Sequence, residues 1–225
     1  MFYAASLVGI GATDEAIEIF SELDSNIEPE VLLYHSFALF GQWKYQEAIP
    51  FLQKFVLAPG ISEYRRLVGR INLSSAYIVE KQFEKADQIL DECLFITKNE
   101  NLYLLHGNCL ELKSQIANAN GQYTEAYAFL KEAQSYLNQY HGRYHFFIDK
   151  GIAITNLLKS KGSSDSLLGL QALRKQAYEK KRWETLRDCD LYEALFTRDI
   201  KLMTKLYRGT PYQGYRLRLM NLLEV

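Results

Sequence analysis

Gly121-Gln122-Tyr123-Thr124-Glu125-Ala126-Tyr127-Ala128-Phe129-Leu130 recurs in degraded form three more times upstream, and that recurrence decides the fold. The copies are Gly11-Ala12-Thr13-Asp14-Glu15-Ala16-Ile17-Glu18-Ile19-Phe20, Trp43-Lys44-Tyr45-Gln46-Glu47-Ala48-Ile49-Pro50-Phe51-Leu52 and Lys81-Gln82-Phe83-Glu84-Lys85-Ala86-Asp87-Gln88-Ile89-Leu90. Taken as a ruler, Ala16, Ala48, Ala86 and Ala126 fall 32, 38 and 40 residues apart. A period of that size is a two-helix unit that cannot bury its apolar face alone and stacks on its neighbours. The small residue lets the second helix of a unit approach the first. The aromatic three residues earlier, Tyr45, Phe83 or Tyr123, plugs the turn between them.

Apolar positions spaced by three and four follow each alanine. Ala48, Phe51, Leu52 and Phe55 share one helical face, as do Ala86, Ile89, Leu90 and Cys93, and Ala126, Leu130, Ala133 and Leu137. Thr13-Asp14-Glu15, Thr124-Glu125 and Ser21 supply capping or first-turn acidic groups. Pro29, Pro59 with Gly60, and Asn99 to Asn101 mark the breaks between units.

These units resemble tetratricopeptide repeats, whose pattern has Gly-x-Tyr-x-x-Ala at the turn between helices and aromatic, Leu or Ala positions after it. The resemblance covers about residues 1–140. The sequence departs from the pattern at Trp43 and Lys81, where the family prefers Gly, and in lacking the usual first-helix Trp. Its longer spacings imply lengthened helices, as in the stretched repeats of bacterial regulatory proteins. The implied fold class is all-α, a right-handed solenoid of about five to six helical hairpins, with 141–198 as degenerate hairpins and 199–225 as capping helices of one continuous array.

Beyond Tyr140 the reading rests on local signals. Phe146 to Lys159 reads as a helix, and Lys161-Gly162-Ser163-Ser164-Asp165-Ser166 as a loop in which Ser164, Asp165 or Ser166 caps the next helix. Leu167 to Lys180 and Trp183 to Phe196 form a hairpin, with Lys181-Arg182-Trp183 where Gly-x-Tyr stood before. A short helix from Asp199 to Tyr207 stops at Gly209-Thr210-Pro211, and a last helix runs from about Tyr212 to Leu223.

In the tetratricopeptide family the first helices line a concave groove that takes an extended or helical peptide. Counting back from the ruler places Tyr34, Phe37 and Phe40, then Asn72, Ser75 and Val79, then Glu111, Gln115 and Asn118 on that side. The amides of Asn72, Gln115 and Asn118 suit a peptide backbone, while internal packing of the aromatics and hydration of the amides is the competing reading. The resemblance thus implies a non-enzymatic protein-binding scaffold with a protein or peptide partner. The alternative is a regulatory or ligand-sensing module of a bacterial transcription regulator.

Charge is near balance overall but unevenly placed. Residues 171–225 hold 12 Lys/Arg against 7 Asp/Glu, leaving residues 1–170 net acidic. Arg198, Lys201, Lys205, Arg208, Arg216 and Arg218 form a candidate basic patch beside Tyr207, Tyr212 and Tyr215. Nucleic-acid contact there needs an exposed helix of polar donors, whereas Leu217, Leu219, Met220, Leu222 and Leu223 fit a capping or homodimerising helix better.

Catalytic constellations are absent from the sequence: no Gly-x-Ser-x-Gly, phosphate loop or Gly-x-Gly-x-x-Gly occurs. No enzyme activity, cofactor or metal is expected. His141, His145 and Asp149 would share a helical face only if Gly142 did not break the helix. The pairs Glu15/Glu18 and Asp87/Asp91 read as wet outer faces. Cys93, Cys109 and Cys189 lack Cys-x-x-Cys spacing and read as reduced core thiols of a cytoplasmic protein. The apolar start, Met1 to Ile10, lacks a basic leader and reads as a first helix, and no run is long and apolar enough for a membrane span.

Overall fold

Ala16, Ala48, Ala86 and Ala126 are all fully enclosed in the computed structural model, at 0% exposure. The structure describes residues 1–138, 140, 143–209, 215, 216, 219 and 220. Among them lie twelve helices and no strand: α1 (Phe2–Ile10), α2 (Thr13–Glu22), α3 (Glu30–Gly41), α4 (Tyr45–Leu57), α5 (Glu63–Val79) and α6 (Phe83–Asn99), then α7 (Tyr103–Ala119), α8 (Tyr123–Leu137), α9 (Arg143–Lys159), α10 (Ser164–Glu179), α11 (Trp183–Thr197) and α12 (Ile200–Gly209). The expected last helix falls mostly outside the described residues. None of the helices is long and apolar enough to cross a membrane.

The chain divides into two compact units, one built on Met1–Phe95 and a second that begins at Ile96, so that the division falls within α6. In the first unit, α1 packs on α2, α2 on α3, α3 on α4 and α4 on α5, with α1 also touching α3. In the second, α7 to α12 pack in order, and α9 also meets α7 and α11. Contact between alternate as well as consecutive helices is the packing of stacked hairpins.

The apolar stripes face inward as their spacing requires. Ala48, Leu52 and Phe55 are buried, as are Ala86, Leu90 and Cys93, and Ala126, Leu130, Ala133 and Leu137; Phe51 and Ile89 are half-buried at the edges. The helix lengths account for the uneven ruler: α3 and α4 have 12 and 13 residues, whereas α5, α6 and α7 each have 17.

One turn geometry repeats. The residue five before the ruler position has positive φ in every case: Gly11 86°, Trp43 62°, Lys81 57°, Gly121 74° and, in the degenerate hairpin, Lys181 54°. The next residue then donates its N–H to the carbonyl five positions back, closing a Schellman motif. These bonds are Ala12 to Leu7 at 2.9 Å, Lys44 to Leu39 at 2.9 Å, Gln82 to Tyr77 at 2.8 Å, Gln122 to Ala117 at 2.8 Å and Arg182 to Ala177 at 2.7 Å. Gly is favoured there because the left-handed region costs a residue with a Cβ about 1–2 kcal/mol. The same closure also occurs after Asn101 and Lys161, where Leu102 and Gly162 donate to the Thr97 and Leu157 carbonyls at 2.8 and 3.0 Å.

Helix starts carry the expected first-turn acids Asp14, Glu15 and Glu125, and differ from expectation in their caps. Thr13 is the first helical residue and is buried, Ala12 and Gln122 occupy the cap positions without a side-chain bond, and Ser21 Oγ bonds back to the Ile17 carbonyl at 2.8 Å. These hairpin turns leave only two or three residues between helices. Two of the longer loops use a serine cap: Ser62 accepts from the Arg65 N–H, and Ser163, not Ser164, Asp165 or Ser166, caps α10.

Candidate functional site

Helix α3 is apolar on nearly every side. Val31, Leu32, Leu33, Ala38 and Leu39 are buried with His35 and Ser36, which leaves Tyr34, Phe37 and Phe40 half-buried along one remaining face. Tyr34 lies 6.5 Å from the buried Phe20 ring and edge-on to Phe37 at 6.0 Å. Phe40 stacks across the turn on Tyr45 at 4.7 Å, and Trp43 meets the same Tyr45 edge-on at 5.9 Å. The aromatic plug of this turn is therefore a cluster of three rings. Phe40 serves it, whereas Phe37 touches only Tyr34 among the aromatic pairs.

In the same unit Asn72, Ser75 and Val79 are half-buried on one face of α5. Asn72 donates its amide to the Val68 carbonyl of its own helix at 2.8 Å. Arg65, at the start of α5, reaches α3 with its Nε 2.8 Å from Glu30 Oε1 and a second nitrogen on Glu30 Oε2, while its guanidinium lies 5.8 Å from the Tyr34 ring centre. This forked pairing to Glu30 holds the Arg65 pKa above its ordinary value. Arg65 joins the N-terminal parts of α3 and α5 and places a planar cation against the aromatic face. Sequence reasoning missed it, because its partner lies 35 residues away and no local spacing marks the pair.

Glu111, Gln115 and Asn118 sit half-buried on α7 in the second unit. Gln115 donates to both Glu111 carboxylate oxygens, at 3.0 and 3.1 Å. Asn118 donates to Thr155 Oγ1 of α9 at 2.9 Å, and its own amide oxygen is buried without a partner. Asn118 is thus a strut between α7 and α9. The structure brings the α3 and α5 residues into one unit and places the α7 residues in the other.

The basic residues gather around α12. Asp199 caps it, accepting from the Lys201 and Leu202 N–H groups at 2.8 and 3.1 Å, and Met203 is its buried anchor. Ile200, Lys201, Thr204, Lys205 and Arg208 line a shallow open depression. Arg198 is exposed with φ 52°, and Arg216 is half-buried, its guanidinium 5.5 Å from the Tyr207 ring. Arg218 and Tyr212 lie outside the described residues. Tyr215 does not join a surface patch: it is 2% exposed, with its hydroxyl 3.5 Å from the Arg187 carbonyl. Leu219 is also buried, so the unit itself covers these apolar positions.

Titratable groups elsewhere are packed. His35 lies between Phe20 at 6.0 Å and Phe51 at 4.1 Å, and burial lowers its pKa. His106 Nδ1 is 3.0 Å from Thr97 Oγ1, both buried. Cys93, Cys109 and Cys189 are buried thiols outside any disulfide, and burial pushes the Cys189 thiol up to about 12, which suits core packing and not nucleophilic chemistry. Glu15 and Glu18 are exposed, as is Asp91, while Asp87 is half-buried. No group of three His, Cys, Asp or Glu residues is placed to hold a metal among the described residues, and His141 and Gly142 lie outside them.

No family model matches the sequence, and no curated protein matches it. A solved structure does. It is from Podosopora anserina and is described as nearly identical TPR-like repeats of a kinesin light chain. It aligns with TM-score 0.54 at 18% identity, covering 80% of this chain and 93% of that one. The fold is tetratricopeptide-like. At that identity the likeness is one of backbone architecture, and it fits the repeated left-handed turn and enclosed ruler alanines. The tetratricopeptide-like frame also explains why Trp43, Lys81 and Lys181 take positive φ: they occupy the turn position that its stacking geometry imposes.

Proposed function

We propose that this chain is a non-enzymatic protein-binding scaffold that lays an extended or helical segment of a partner along its first helices. The observation that carries the reading is the surface shared by α3 and α5. Tyr34 and Phe37 remain half-buried on an otherwise buried helix, Arg65 of α5 reaches over the Tyr34 ring, and Asn72 lies half-buried two turns further along α5. Aromatic anchors flanked by a planar cation and an amide are the residue types that dominate binding energy at protein interfaces. Asn118 supports such a role less than the sequence implied, since its donor holds Thr155.

Capture of a partner from extract of the source cells tests this. Phe37→Ala and Asn72→Ala should each weaken capture by about tenfold or more at unchanged melting temperature. Unaltered capture by both variants would overturn the groove reading.

The alternative, a regulatory module of a bacterial transcription regulator, draws on the exposed cations of α12. It expects salt-dependent DNA binding that is lost when Lys201 and Lys205 are both replaced by Glu. Absence of such binding at low salt rules it out.

A further inference from the structure

Two surfaces of opposite charge are carried by the same chain, one in each compact unit. Residues 1–43 contain no Lys or Arg but hold Asp14, Glu15, Glu18, Glu22, Asp24, Glu28 and Glu30. Some of these acids are engaged internally: Asp14 accepts from Gln42, Glu15 from the Tyr3 hydroxyl, Asp24 from the Asn26 N–H and Glu30 from Arg65. Glu18 and Glu22 are exposed, one turn apart on α2, with no ion-pair partner among the described residues. Lys54 of α4 reaches the loop after α2, where it bonds Ser25 at 2.8 Å.

Beside that acidic stripe α1 is apolar almost all round. Phe2 is 78% and Ile10 80% exposed, as is Ile27 at 83% in the loop after α2. A helix of that composition normally lies covered. On α12 the pattern is inverted. Lys201 and Lys205 are exposed one turn apart, Arg198 and Arg208 extend the line, and Ile200 stands among them at 74% exposure. None of these four cations has an ion-pair partner among the described residues, and the only acid close in sequence, Asp199, is used as the helix cap.

We infer that the basic face of α12, with Ile200, docks on the acidic and apolar face of α1 and α2 in a second copy of this chain. The i, i+4 stripe of Lys201 and Lys205 matches the i, i+4 stripe of Glu18 and Glu22, and Ile200 meets the apolar surface around Phe2 and Ile10. The two faces differ, so each contact pairs unlike surfaces of two copies. The inference is independent of the groove on α3 and α5, none of whose residues it uses.

Sedimentation velocity on the 225-residue chain over a concentration series tests it. Wild type should associate with increasing concentration at about 50 mM salt and at least about tenfold more weakly at about 500 mM, where screening is stronger. The variant Lys201→Glu/Lys205→Glu and the variant Glu18→Lys/Glu22→Lys should each be monomeric with unchanged melting temperatures. Mixed in equal amounts they should associate again, since each supplies the charge the other lost. A wild type that stays monomeric throughout, variants that associate like wild type, or folded variants whose mixture stays monomeric would each overturn the inference. A monomeric wild type that binds duplex DNA through α12 would do the same, assigning that face to nucleic acid.

Discussion

Lys150 of α9 and Asp188 of α11 form an ion pair at 2.7 Å, with side-chain exposures of only 10% and 18%. The cost of desolvating both charges is offset by the pairing, so the pair tolerates joint replacement better than the loss of one member. Asp188→Ala should lower stability by up to about 3–5 kcal/mol by removing a close carboxylate partner from a largely buried ammonium, whereas Lys150→Met with Asp188→Leu should cost far less. Urea denaturation of the three proteins measures the difference, and equal losses in single and double variants would contradict it.

Helical glycines divide by what a Cβ would meet. At Gly107 it would come within 2.6 Å of Leu137 Cγ, a side chain 2% exposed, while at Gly169 on α10 nothing lies within 4 Å. Gly107→Ala should therefore lose about 1 kcal/mol net, as overpacking outweighs the gain in helix propensity. Gly169→Ala should gain up to about 1 kcal/mol. Opposite shifts in thermal midpoint for the two alanines are the expected result.

The turn position offers a similar contrast. Lys81 is exposed with φ 57°, and Gly121 occupies the equivalent place with φ 74°. Lys81→Gly should stabilise by up to about 1 kcal/mol, relieving left-handed strain against the entropy cost of glycine, and Gly121→Val should destabilise by about 1–2 kcal/mol. Thermal unfolding by circular dichroism reads both.

Burial of His35 between Phe20 and Phe51 lowers its pKa below 6.5, the value it regains on unfolding. The unfolded chain then binds the proton more readily than the folded one, so stability is full above about pH 6.5 and falls as pH drops below it. His35→Phe should flatten that part of the stability profile relative to wild type. Denaturation at a series of pH values from 7 down to about 5 gives the two curves, and parallel curves would exclude His35 as the source.

The repeat was legible because it is written in local spacing. Ala126 and its counterparts, the aromatic at the turn and the three-and-four stripes fix hairpins without reference to distant residues, and the 17-residue helices follow from the 38- and 40-residue intervals. The candidate residues on α3, α5 and α7 were legible as helix positions, and all are half-buried. Which of them stay available was not: Asn118 and Phe40 proved to be committed to Thr155 and Tyr45, while Arg65 joined the face unannounced.

By itself, then, the sequence determined that this chain folds into stacked helical hairpins, because helical periodicity and turn chemistry act over a few residues. The tertiary structure alone decided which polar side chains tie alternate helices together. The pairs Glu30 with Arg65, Asn118 with Thr155 and Lys150 with Asp188 lie 35, 37 and 38 residues apart, about one repeat length. At that separation side chains meet only after the hairpins have stacked, so their partnership is a property of packing and leaves no mark in local sequence.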